Sequence, residues 1–254
     1  MHRVIQSIFF SVILLLCEAT HAEDRLTIAV AANIKFAFDD LAAAFTKETG
    51  IEITPVYGSS GKIVSQVSEG APYDLFLSAD MAYPEKLYKD GHAAGPPAIY
   101  AYGKLALWTA RHDLVLDARL QALAGPGVRK VAVANPRVAP YGAEAIRAIE
   151  KLGLRAALEP KLVFSENIAQ VIQFVDSGNV DAGLTAKSLV IAPEMKGRGK
   201  WIDVPPSAYN PIAQGAVVLQ YGLKTHPYAA KRFFEYLYSI KARKLLAEFG
   251  YGLP

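Results

Sequence analysis

Apolar positions along the chain alternate between two periods. Leu26 to Val30 is a short apolar run, and after Ala31-Ala32-Asn33 the residues Ile34, Phe38, Leu41 and Phe45 recur at helical spacing. A strand, a small-residue turn and a helix are predicted, with Asn33 at the N-cap position. Gly50 ends that helix, Ile51, Ile53 and Pro55 alternate with polar residues, and the alternation stops at Gly58-Ser59-Ser60-Gly61. Ile63, Val64 and Val67 then form a helical stripe with Gly70 as its C-terminal cap. Asp74 to Ala79 predicts a third strand and Pro84 to Asp90 a short helix. The order βαβαβ calls for a mainly parallel sheet with helices on its faces.

Lys104 to Thr109 predicts a strand that crosses into a second domain, because a new βα series starts after Gly125-Pro126-Gly127. Val131 to Ala134 is apolar, Asn135-Pro136 turns the chain, and Pro140-Tyr141-Gly142 opens a helix carrying Ala145, Ile149 and Leu152. Leu162 to Phe164 is a short strand, Ser165-Glu166-Asn167 a capping turn, and Ile168, Val171, Ile172 and Val175 the stripe of the next helix. Asp181 to Thr185 predicts a strand, Lys196 to Lys200 with Pro205-Pro206 a polar loop, and Gln214 to Leu219 a strand returning to the first domain. His226 to Phe249 reads as helical, with Phe233, Phe234, Leu237, Leu245, Leu246 and Phe249 buried. The expected division is 23–103 with 208–254 in lobe I and 104–207 in lobe II.

The first residues change the picture of where the chain works. Met1 to Ala22 has a charged start at His2 and Arg3, an apolar stretch from Ile8 to Leu16 and a small-residue cleavage site at Thr20-His21-Ala22. An exported, soluble chain beginning near Glu23 is expected, because no later stretch reaches the roughly 18 apolar residues of a membrane helix. Cys17 is the sole cysteine and lies in that signal, so disulfides and thiolate chemistry are absent from the mature chain. Lipidation at Cys17 is the alternative start, opposed by bulky Leu16 before it. The formal net charge of +3 is spread without a basic stripe, which argues against nucleic acid as a partner.

Four helix starts follow strand ends, at Asn33, Ser60, Tyr141 and Ile168. Such junctions aim free backbone N–H groups, here with serine hydroxyls, at one point that suits a small anion. The simpler reading is that Ser59 and Ser60 only cap their helix, and that the Asn33 amide caps its own. Gly58 to Lys62 is not a Walker loop, since its glycines are too close and Ile63 follows Lys62. Nor is it a nucleophile elbow. His92, His112 and His226 stand far apart and are expected to be exposed loop or cap residues, so no metal site is expected. Asp39, Asp40, Asp74 and Asp80 are assigned to helix starts and the surface.

In this order Ala31-Ala32-Asn33, Gly58-Ser59-Ser60-Gly61, the stretch from Gly70-Ala71-Pro72 to Ser78-Ala79-Asp80, Asn135-Pro136, Ala139-Pro140-Tyr141-Gly142 and Glu166-Asn167-Ile168 resemble the periplasmic molybdate-binding proteins, the solute receptors of molybdate ABC importers. The resemblance covers nearly the whole mature length. It implies the α/β two-lobed periplasmic binding protein fold (type II), with mainly parallel mixed sheets and the oxyanion in the cleft between lobes. It also implies ligand contacts from Ala32 and Asn33, from Ser60 with Ser59 beside it, from Tyr141 and from the backbone of Ile168. Many relatives place a tyrosine after the strand corresponding to Asp181 to Thr185, where this chain has Ala186; others carry it after the proline, as Pro140-Tyr141 does here. Asn33 departs from members with serine at that position. The implied partners are molybdate or tungstate and a membrane permease, with the receptor a monomer, periplasmic, without cofactor or catalytic residue. Two alternatives remain from the sequence: a receptor of the same fold for sulfate, phosphate or ferric ion, and a secreted serine hydrolase using Ser59 or Ser60.

Overall fold

The protein is described here by a computed structural model covering residues 25–254. The export segment expected over Met1 to Ala22, with Cys17, lies outside the described residues. Ten strands follow in chain order: β1 (Arg25–Ala31), β2 (Glu52–Gly58), β3 (Leu75–Leu77), β4 (Ala98–Gly103), β5 (Leu105–Thr109), β6 (Val131–Ala134), β7 (Leu162–Ser165), β8 (Ala182–Ala186), β9 (Lys200–Asp203) and β10 (Ile212–Val218). They form two five-stranded sheets, ordered β2-β1-β3-β10-β4 and β7-β6-β8-β5-β9. In each, three strands run parallel and the remaining pairings are antiparallel. The chain passes from one sheet to the other at Lys104, between β4 and β5, and returns between β9 and β10.

Helices cover both faces of the first sheet, which is why β1 reads as a continuous apolar run. Leu26, Ile28 and Val30 face one core with Phe38 and Phe45, while Ala29 faces another with Ile63, Val64 and Phe76. Successive side chains of a strand point to opposite faces, so one strand serves both cores. Register then aligns the strand ends: Ala31 lies opposite Gly58, and Ala134 opposite Ser165. The turns that follow are therefore neighbours in pairs. No helix among the described residues is long and apolar enough to cross a membrane.

Several local expectations are corrected. β4 and β9 were not anticipated; each stands at the end of its sheet, β4 beside β10 with Tyr102 also bridged to Gly252, and β9 beside β5. β9 starts at Lys200, inside the stretch expected to be loop. The C-terminal helical region is three helices, Gln220–Thr225, Pro227–Tyr236 and Ile240–Glu248, and Phe234 and Leu245 are only partly buried. Ser239 caps the last of these by accepting the Ala242 N–H at 3.1 Å. His226 stands at the cap position between Gln220–Thr225 and Pro227–Tyr236, as the cap reading expects, whereas Asp74 is not on the surface. His226 Nδ1 lies 2.8 Å from Oδ1 of the buried Asp74, whose Oδ2 accepts the Thr27 N–H at 2.6 Å, so the pair ties the last helices to β1.

Candidate ligand-binding site

The parallel strands of the two sheets point their C-terminal ends at one another, the usual place for a ligand in open α/β sheets. A small cavity lies between them, lined by Ala32, Asn33, Ser59, Ser60, Tyr141 and Ile168 together with other small residues of the same turns. All six residues anticipated from the sequence thus meet in one cavity. The cavity is small, about 10 Å³ in volume. The lining contains neither a charged side chain nor a histidine.

Each wall follows from a helix start. Ser59 is the N-cap of the helix Ser60–Ser68, but its side chain does not cap, and its buried Oγ has no hydrogen-bond partner. Ser60 Oγ accepts the Ala79 N–H at 3.1 Å, which leaves its own proton free to donate. The simpler reading, two serines that only cap, therefore fails for both. The helix Pro140–Lys151 begins with proline after Ala139, and neither residue offers a side-chain cap to the N–H groups of its first turn. In the helix Ile168–Asp176, Asn167 Oδ1 accepts the Ala169 and Gln170 N–H groups at 3.0 and 3.2 Å, leaving the Ile168 N–H uncapped.

Asn33 departs from its expected capping role. A single 3-10 turn, Ala32–Ile34, precedes the helix Lys35–Thr49, so Ile34 takes the N-cap position and no side chain caps. The Asn33 amide instead donates from Nδ2 to Gln214 Oε1 at 2.8 Å and to Tyr251 Oη at 3.0 Å, while Oδ1 is buried without a partner. With both Nδ2 hydrogens engaged, the donor Asn33 can still offer is its backbone N–H.

Behind the cavity is a buried polar cluster that reading the sequence missed. Gln214 Nε2 donates to Tyr141 Oη at 3.2 Å, Tyr100 Oη donates to Gln214 Oε1 at 2.9 Å, and Ser188 Oγ donates to the Asn33 carbonyl at 2.8 Å. Tyr251 Oη lies 2.9 Å from Ser188 Oγ. The available signal was Gln214 followed by Gly215 inside an otherwise apolar strand, a cue for a bulge. Burial first, then the neighbouring phenols of Tyr251 and Tyr100, push the Tyr141 hydroxyl well above the ordinary tyrosine value. Burial likewise pushes Tyr251 up to about 12. Both remain protonated donors at any physiological pH. Neither serine hydroxyl has a histidine partner among the described residues, so no base stands ready to activate one.

The lobes meet at the cavity's rim as well. Gly61 N–H donates to the Val138 carbonyl at 2.9 Å, Tyr83 Oη donates to the Arg137 carbonyl at 3.2 Å, and Lys62 Nζ lies 2.5 Å from Glu166 Oε1. Lys62 is thereby held at the rim by an acid of the opposite lobe. Among the described residues no group of three or more His, Cys, Asp or Glu could hold a metal ion.

Comparison with known proteins bears on both fold and site. Residues 26–252 match the family model described as bacterial extracellular solute-binding protein. The chain is 41% identical over 241 residues to the molybdate-binding protein ModA of Azotobacter vinelandii, covering 94% of each, and 39% identical to ModA of Rhodobacter capsulatus, covering 91% of this chain and 89% of the relative. The solved structure of the Azotobacter vinelandii periplasmic molybdate-binding protein superposes with a TM-score of 0.84 at 35% identity, over 90% of this chain and 99% of that one. These are transport receptors and not enzymes, which removes the hydrolase alternative. With a two-lobed fold, a cleft of neutral donors and relatives matched along almost its entire length, the chain belongs to the ModA family of bacterial extracellular solute-binding proteins.

Proposed function

We propose that this protein captures molybdate, and tungstate comparably, between its lobes and delivers it to the permease of an ABC importer from the periplasm, to which Met1 to Ala22 would export it. The observation that carries this reading is the cavity itself: helix starts from both lobes surround it with neutral donors and no mobile charge. A tetrahedral dianion presents only acceptors, so its fitting host offers backbone N–H, serine O–H and tyrosine O–H groups. Helix N-termini add fixed positive potential. The contacting residues would be Ala32 and Asn33 through their backbone, Ser59 and Ser60 through hydroxyls and amides, Tyr141 through its hydroxyl and amide, and Ile168 through its N–H.

About seven such bonds at ~1.5 kcal/mol each give a gross gain of ~10 kcal/mol. After the costs of ordering and closure, a dissociation constant between micromolar and nanomolar follows. Charge does not separate molybdate from sulfate, since both are tetrahedral dianions. Size does: in a cavity fixed by closed lobes, the shorter bonds of sulfate leave donors unsatisfied. Isothermal titration of ligand-free protein tests the reading. One-to-one binding of molybdate and tungstate with sulfate and phosphate silent is expected, with Ser60→Ala and Tyr141→Phe each weakening molybdate about 10- to 100-fold. Absence of heat with molybdate, or tighter binding of sulfate, would overturn it.

A further inference from the structure

The polar stretch from Lys196 to Lys200 helps to enclose a second cavity, remote from the one between the lobes. β5 runs antiparallel to β8, with Leu105 opposite Ala186 and Trp108 opposite Gly183. The parallel strands of this sheet end at the interlobe cavity, so Leu105 is at the near end of β5. Trp108 stands three residues, about 10 Å, farther away. Trp201 of β9 is directly opposite Trp108. Residues paired in this way project to the same face of the sheet. A cavity of about 320 Å³ opens against the two indoles, with Val190, Ala192 and Met195 as its apolar wall. That volume is within the range of small-molecule sites.

Two features of this cavity point to a ligand. Trp108 is only 1% exposed, and its indole N–H makes no hydrogen bond among the described residues. A buried indole N–H usually finds an acceptor. The nitrogen is not one of the fully enclosed orphan atoms, so the sliver of surface that Trp108 retains includes it, and the cavity is the space on which that surface opens. A Cβ on Gly199, another lining residue, would lie 3.0 Å from Nε1, which puts the N–H edge of the ring at the wall. The second feature is charge. Arg198 is paired with Asp176, Lys200 Nζ donates to the His112 carbonyl at 2.8 Å, and Lys187 Nζ pairs with Asp203 at 2.8 Å while lying 5.0 Å from the centre of the Trp201 ring. Lys196, exposed and also lining the cavity, has no ion pair among the described residues.

We propose that this cavity is a second binding site, for a small aromatic carboxylate whose rings lie against Trp201 and Met195 and whose carboxylate accepts the Trp108 indole N–H and faces Lys196. An unused donor together with an unpaired cation calls for an anionic acceptor. Indole and thioether walls call for a flat apolar body. A bare oxyanion would lose its water against those walls without gaining partners, so molybdate does not suit this cavity. The site stands apart from the interlobe cavity and does not depend on what that cavity binds.

Titrating isotope-labelled protein with sodium 2-naphthoate, with and without sodium molybdate, tests it by nuclear magnetic resonance. The chain has two tryptophans and hence two indole N–H signals, which Trp108→Phe assigns. A saturable downfield movement of the Trp108 signal is expected, with a dissociation constant of about 1 mM or tighter for a ligand of this size, unchanged by molybdate. Trp108→Phe, read through the fluorescence of the naphthoate, should weaken binding about tenfold, and so should exchanging the acid for 2-naphthylmethanol. Lys196→Met should weaken it about threefold. If Trp108→Phe does not fold, Lys196→Met and the alcohol carry the test, and the signal that moves identifies itself by its absence in Trp201→Phe. A Trp108 signal unmoved at about 10 mM, ten times the weakest expected constant, overturns the proposal. So does binding that is indifferent both to Lys196→Met and to loss of the carboxylate. Displacement of naphthoate by molybdate would put the acid between the lobes and overturn it as well.

Discussion

The lobes are joined at the back of the cavity and again at its front, by contacts of opposite character. At the back, Asn33, Tyr100, Tyr141, Ser188, Gln214 and Tyr251 are buried and hydrogen-bonded to one another. At the front, a backbone bond from the buried Gly61 to Val138, a tyrosine bond to a carbonyl and the Lys62–Glu166 ion pair cross between the lobes, and the two charged side chains of that pair are 53% and 45% exposed. Separating the back would strand donors and acceptors away from water, whereas the exposed Lys62 and Glu166 at the front can exchange each other for solvent. The difference assigns the two sides separate tasks. The back preserves the geometry of the donors, and the front governs whether the cleft is shut.

Substituting Gly103 attacks the back where it is tightest and should have the largest effect. The added methyl of Gly103→Ala would overlap Tyr141 Oη and Gln214 Nε2, and both are buried in a packed network with little room to shift. Overpacking of this kind costs about 2–3 kcal/mol, a fall in melting temperature of about 5–10 °C for a chain of this size. Displacing the Tyr141 hydroxyl should also weaken molybdate binding at least about 100-fold. Calorimetry and titration on the same preparation check both. An unchanged melting temperature with unchanged affinity would show that the back is as adaptable as the front.

Gly61→Ala is the corresponding change at the front, and it should separate stability from affinity. A Cβ at Gly61 would lie 2.7 Å from Tyr83 Oη, the free end of a side chain that can swing aside, and 3.0 Å from the Val138 Cα, which belongs to the opposite lobe. The second contact is relieved by a slight opening of the cleft. Within its helix, alanine is favoured over glycine by up to about 1 kcal/mol. Thermal stability of the ligand-free protein should therefore hold or rise slightly, while molybdate binding weakens about tenfold through the cost of incomplete closure. A parallel loss of both would place Gly61 with the rigid back.

The front and back also differ in how much of them the sequence revealed. Strand ends leading into helix starts are local features, so the residues of the cavity wall could be picked out one turn at a time. Their meeting follows from register, Ala31 with Gly58 and Ala134 with Ser165, which the βα order implies. The back network is assembled from positions 33, 100, 141, 188, 214 and 251, and no short-range pattern connects them. Tyr100 also lies on β4, an edge strand that was not anticipated. Asn33 misleads for a related reason. An asparagine ahead of an apolar stripe has the local signature of an N-cap, but the 3-10 turn moves the helix start to Lys35 and turns the amide inward to Gln214 and Tyr251.

The Lys62–Glu166 pair should give the smallest effect and the sharpest test of what the front does. Exposed ion pairs contribute little because both partners are well solvated when apart and salt screens them when together. Lys62→Ala should thus weaken molybdate binding only about threefold at low salt, with the effect disappearing near 0.5 M, roughly where the Debye length falls below the size of a side chain. A lysine beside an anion site could instead act by attracting the anion, and the acid partner separates the two roles. If the pair works as a latch between lobes, Glu166→Ala weakens binding to the same small extent as Lys62→Ala, and the double variant adds nothing further. If Lys62 works by attraction, removing Glu166 releases its charge and binding tightens. The opposite signs expected for Glu166→Ala decide between closure and steering, even though neither substitution changes affinity by as much as tenfold.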